Sequence, residues 1–142
     1  MISWICKNTI VPMILRLALA AVFIYHGLDL VKRNDAWGAN WHDDLPVIAQ
    51  IAVAWGQLLG GVALAFGFLT RLAALGITII MAGAIYQVHW KNGFNLLDGG
   101  FEYNFVLISI CLCLILGGPG PIAVDRVFHL RRRQMMPPPQ QY

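Results

Sequence analysis

Four apolar segments decide what this chain can fold into: Ile10 to Val31, Val47 to Leu69, Leu72 to Trp90 and Phe101 to Ala123. Each is close to the ~20 residues that carry a helix across ~30 Å of hydrocarbon. Lipid offers no water to backbone N–H and C=O groups, so spans of this length must be helical. Composition agrees, since 58% of the 142 residues are hydrophobic and 12% are charged, against about 25% charged in an ordinary soluble domain. So few polar groups cannot cover a globular surface. The expected fold is an all-α, integral-membrane four-helix bundle over residues 1–125, with a basic, proline-rich tail over 126–142. The first segment, preceded by Lys7, has the outline of a secretory signal. Arg16 inside its apolar region argues for a retained span instead.

Orientation follows from Lys and Arg in the short loops. One side collects Lys7, Arg71, Arg126, Arg131, Arg132 and Arg133; the other has Lys32, Arg33 and Lys91 offset by Asp35, Asp43, Asp44 and Asp98. Both termini are therefore expected at the cytoplasmic face, as in a multi-pass protein of the bacterial inner membrane. The net charge of +3 is mostly this inner collar, and it suits anionic lipid or an acidic partner better than nucleic acid. The tail "RVFHLRRRQMMPPPQQY" joins a basic patch to three prolines that favour extended backbone. Arg131, Arg132 and Arg133 are its candidate contacts with lipid or with another membrane subunit.

Gly56 and Gly60 form a G-x-x-x-G pair with Gly61 beside it, a spacing that lets helix backbones approach in lipid. The fourth segment is expected to stop at "GGPGPIAVD", where Pro119 and Pro121 lack the amide donors of a continuing helix. "GFLTRLAAL" leaves room only for a tight antiparallel connection between the second and third segments.

Topology sorts the ionisable residues by depth. His26 and Asp29 lie three residues apart near the outer end of the first helix, on one face. His89 lies near the outer end of the third, with Tyr86 a turn below; Glu102 and Tyr103 open the fourth; Gln57 sits at mid-depth on the second. Titratable groups at membrane depth cost roughly 2.5–3.5 kcal/mol each near the centre and are usually turned inward and paired. His26, Gln57, Tyr86, His89 and Glu102 are thus candidates for one interhelical pocket. Such a set could hold and protonate a quinone, or bind zinc or iron, though no His/Cys spacing here favours a metal. The competing reading places these residues at the headgroup level, meeting water and tying helix ends together.

Arg16 lies about 9 Å inside the first helix by the 1.5 Å rise per residue. The only acidic residue on its side is Asp125, so an Arg16–Asp125 ion pair is expected to close the inner end, with snorkelling to the headgroups as the alternative. Cys111 and Cys113 point to different faces, and no C-x-x-C motif occurs. Trp4, Trp37, Trp41 and Trp90 read as interfacial anchors.

Taken together, "RLALAAVFIYHGLDL", "GQLLGGVALAFGFLTRLAAL", "MAGAIYQVHWKNGF" and "EYNFVLISICLCLILGGPGPIAVD" resemble the DoxX family of small four-helix membrane proteins, over roughly residues 13 to 125. The G-G-x-x-L-x-x-G-x-x-T-R-x-A-A-L stretch is the most specific part. Two positions depart from the family pattern: Gln57 stands where an acidic residue is common, and Asp29 where a lysine is. The resemblance implies association with membrane redox systems, including subunits of thiosulfate:quinone oxidoreductase. The expected function is an accessory subunit of an inner-membrane electron-transfer complex, with a quinone or lipid as its non-covalent ligand and no activity of its own. A purely structural subunit and a quinone-linked oxidoreductase are the rivals.

Overall fold

A computed structural model of the chain describes residues 9–33, 39 and 42–126. Trp4, Cys6, Lys7, Asp35, Trp37, Trp41 and the tail arginines Arg131, Arg132 and Arg133 lie outside the described residues. Among those described, all regular structure is helical: α1 (Val11–Arg33), α2 (Val47–Phe66), α3 (Thr70–Ala84) and α4 (Glu102–Gly117). A π-helical turn at Ile85–His89 and a 3₁₀ turn at Trp90–Asn92 prolong α3. With that extension, α1, α2 and α3 are each long and apolar enough to cross a membrane, whereas α4 has only 16 residues.

Glycines end two helices earlier than the apolar segments suggest. The second segment runs to Leu69, but Gly67 adopts the left-handed conformation (φ 67°) and α2 stops at Phe66. Its amide and that of Phe68 return to Leu64 O and Ala63 O, which satisfies carbonyls a helix end would leave bare. Leu69 is also left-handed (φ 47°), an uncommon geometry for a branched residue, and α3 begins directly after it. The fourth segment runs to Ala123, yet α4 ends at Gly117, because Gly118 turns to φ 82° and the Pro119-Gly120-Pro121 sequence cannot resume a helix.

Close backbone approaches fix the register. A Cβ on Gly27 would stand 2.5 Å from Leu58 N, and one on Gly61 would stand 2.8 Å from Ile24 N. Residue numbers rise on α1 as they fall on α2, so the pair is antiparallel and packs backbone to backbone. Gly56 and Gly60 instead receive side chains of α3, Ile80 and Ile77, at 2.9 and 3.2 Å from such a Cβ. Of the three glycines expected to pack, Gly61 makes the tight contact; Gly27 is the other and was not expected. Asn104 against Met81 at one end and Gly118 against Arg71 at the other make α3 and α4 antiparallel as well. The dry centre contains Leu19, Phe23, Leu64, Ile77, Cys111 and Leu114, all essentially inaccessible. The outside is as apolar as the inside: Leu59, Ile79, Phe105 and Leu116 are all exposed, the distribution expected of a protein whose solvent is lipid.

Candidate functional site

Polar side chains gather at three levels of the bundle. The first is the end where α1 begins and α4 stops. Arg16 is 3% exposed, and its guanidinium donates four hydrogen bonds to main-chain carbonyls. Nε reaches Leu64 O at 3.0 Å and Nη2 reaches Ala65 O at 3.2 Å, while Nη1 serves Pro119 O at 2.8 Å and Ile122 O at 3.0 Å. Four of its five donors are thus used, on the carbonyl end of α2, where a cation is also favoured by the helix dipole, and on the loop after α4. Gly67 must be glycine for this, since a Cβ there would lie 2.7 Å from the guanidinium carbon.

Asp125 sits in the same knot. Its two carboxylate oxygens accept from Leu69 N (2.6 Å) and Thr70 N (2.8 Å), capping α3, and its own amide donates to Gly67 O. The carboxylate acts electrostatically on Arg16. The hydrogen bonds that close this end run to main chain, from Arg16 to the end of α2 and the loop after α4 and from Asp125 to the 67–70 turn, with none between the two side chains among the described residues. The Thr70 hydroxyl, fully buried, has no partner among the described residues.

The second level is the opposite, loop-bearing end, where three of the expected pocket residues find separate surroundings. His26 is exposed and lies edge-on to Tyr25, with ring centres 5.5 Å apart. His89 Nδ1 bonds Gly99 O at 2.7 Å. A carbonyl can only accept, so Nδ1 is the donor of this bond. Glu102 accepts from Leu96 N at 3.1 Å. Asn92 and Asn95 complete the loop, the former donating to Gly99 O and the latter to Asp98. Phe101 stacks on Trp90 and meets the edge of Phe94. Here local main chain, not a neighbouring helix, satisfies the polar groups. Tyr86 is 79% exposed and, with Ala82, Ile85 and Trp90, lines a shallow apolar recess of about 440 Å³. His26, His89 and Glu102 thus have separate ring and main-chain partners, and among the described residues no three of His, Cys, Asp and Glu are placed to hold a metal ion.

The third level lies between the ends. Gln57 on α2 and Asn104 on α4 are both buried, at 7% and 6% exposure. Asn104 Nδ2 meets only Met81 Sδ, at 3.7 Å, a weak acceptor. Gln57 makes no hydrogen bond among the described residues. The glycine contacts put them at similar height, since Gly56, beside Gln57, faces Ile80, and Asn104 faces the adjacent Met81. Sequence reasoning singled out Gln57 but missed Asn104, which stands inside an apolar run, and missed Gln50, whose buried amide donates to His42 O and Leu45 O at 2.7 Å each. Chemically, two amides in an apolar interior can donate to, or accept from, a small carbonyl-bearing ring.

A protein-family model described as DoxX matches residues 11–90. An uncharacterised protein of Haemophilus influenzae is 33% identical over 125 residues, covering 80% of each chain. The "Putative oxidoreductase CatD" of Bacillus subtilis is 27% identical over 114 residues, 80% of this chain and 83% of the relative. The "Inner membrane protein YqjF" of Escherichia coli is 36% identical over 73 residues, 49% of this chain and 54% of the relative. No solved structure matches the chain significantly.

Proposed function

The chain belongs to the DoxX family, and from that premise we propose that it is an accessory membrane subunit of an electron-transfer assembly in the bacterial cytoplasmic membrane, seated beside a quinone. The observation that carries this reading is the pair of under-bonded amides, Gln57 and Asn104. The bundle elsewhere spends its polar groups on main chain, as Arg16, Gln50, His89 and Glu102 do. Two largely buried amides at one level, without a strong protein hydrogen bond but with polar atoms still accessible, are suited to the carbonyl oxygens of a quinone ring. The name of the Bacillus subtilis relative, a putative oxidoreductase, is in keeping with this reading. Orientation is proposed from the charge asymmetry, with the Arg16 end toward the cytoplasm.

Native purification tests the reading. The chain should co-migrate with redox subunits and retain quinone, and Gln57→Leu with Asn104→Leu should lose the quinone while leaving the fold as stable or more so. A lone monomer whose double variant leaves membrane quinone reduction unchanged would end it. A second reading, a purely structural subunit, draws on Gly76 and Gly83. These exposed glycines on α3 have nothing within 4 Å of where a Cβ would be, so that backbone is open to a helix of another chain. In that case Gly76→Leu would break co-migration and the amide variants would not.

A further inference from the structure

A cleft opens at the Arg16 end, sharing Leu69, Pro119 and Asp125 with the knot described above. It is an open space of about 1120 Å³ between the start of α1, the start of α3 and the last turns of α4. It lies where α4 stops at Gly117 and the chain turns away through Pro119 and Pro121. Val11, Leu15, Leu72 and Leu114 make its walls apolar, and Arg71 and Arg126 supply its cations. We propose that this cleft binds one anionic phospholipid, with the phosphate held between Arg71 and Arg126 and the acyl chains lying along the apolar walls.

Charge identifies the occupant. Arg71 lies against Gly118, where a Cβ would be 3.4 Å from Nη2, and neither Arg71 nor Arg126 has a side-chain acceptor among the described residues. The one carboxylate in the lining, Asp125, has both oxygens committed to the amides of Leu69 and Thr70. Residues 1–8 and 127–142 contain no Asp or Glu, and they add Lys7, Arg131, Arg132 and Arg133 to the positive side. An anionic headgroup from the surrounding membrane would complement both arginines. A free phosphate would match the arginines and leave the hydrocarbon walls bare, whereas a phospholipid matches both. Guanidinium groups suit this because they bond phosphate oxygens in pairs. This inference is independent of the quinone reading, since it concerns the opposite end of the bundle.

The test uses the full chain in nanodiscs of phosphatidylcholine doped with phosphatidylglycerol, read by native mass spectrometry of retained lipid and by thermal unfolding. The wild-type protein should retain phosphatidylglycerol over phosphatidylcholine by about ten-fold or more, as expected of two arginines near a membrane surface. R71Q/R126Q should lose that preference without losing its unfolding temperature in pure phosphatidylcholine, and K91Q should keep it. A fluorophore on Cys113, which lines the cleft and is exposed, should be quenched more strongly by brominated phosphatidylglycerol than by brominated phosphatidylcholine in a C6S background. That readout also serves if the double variant fails to fold. Equal retention of the two lipids by wild type, or no excess quenching at Cys113, would overturn the proposal. So would full stabilisation by inorganic phosphate alone, or loss of the preference in R131Q/R132Q/R133Q but not in R71Q/R126Q.

Discussion

The two ends of this bundle satisfy their polar groups by opposite means. At the α1-start end, Arg16 bonds carbonyls 48, 49, 103 and 106 residues away, and Asp125 bonds amides 55 and 56 residues away. At the loop end, His89, Asn92, Asn95 and Glu102 reach partners only 3 to 10 residues distant. One end ties distant segments together; the other folds upon itself. Long-range bonds of this kind can form only when the tertiary fold is complete, so the arginine end should report on global closure and the loop end on local order.

The largest effect should come from Arg16→Met, which keeps much of the apolar stem but strands four carbonyls. Each buried carbonyl left without its donor costs roughly 1–3 kcal/mol, a summed loss measurable as thermal unfolding in nanodiscs. Arg16→Lys should recover little of it, since one ammonium cannot span four acceptors in a fork. Next comes Gly27→Ala, whose new methyl meets the Leu58 backbone and must part α1 from α2, at about 1–3 kcal/mol. Gly83→Ala, with open space around it, should be neutral or slightly stabilising, so a similar loss in both would refute the packing account.

Asp125→Ala removes the cap of α3 and should cost about 1–2 kcal/mol. Combined with Arg16→Met it should cost less than the sum, because both act on the 64–70 turn. Smallest of all, Glu102→Gln should cost at most about 1 kcal/mol and change hydrogen exchange only around Leu96. A loss at Glu102 as large as that at Arg16 would erase the distinction between the ends.

The same distinction explains what the sequence made legible. The helical membrane class follows from four long apolar segments, and the glycine and proline punctuation marks where they stop, though Gly67 and Gly118 act a few residues before the apolar runs do. Arg16 advertises a buried partner at its own end. Its acceptors, however, are carbonyls of Leu64, Ala65, Pro119 and Ile122, and a carbonyl belongs to every residue, so composition points only to Asp125. The histidines and Glu102 were expected to meet across helices because lipid was assumed to be their only alternative. The loop after α3 supplies main-chain partners to His89 and Glu102 instead, as short-range polar contacts commonly do, while His26 lies edge-on to Tyr25. Gly27 escaped notice because a lone glycine carries no sequence sign that another backbone touches it.

The most direct measurement is amide hydrogen exchange on wild type and Arg16→Met in the same nanodisc. The account predicts that Leu69, Thr70 and Asp125 lose protection by at least ten-fold in the variant, while Gly100, Phe101 and Glu102 are unchanged. Protection at Leu69 and Thr70 that survives without the guanidinium, or both ends loosening together, would contradict it.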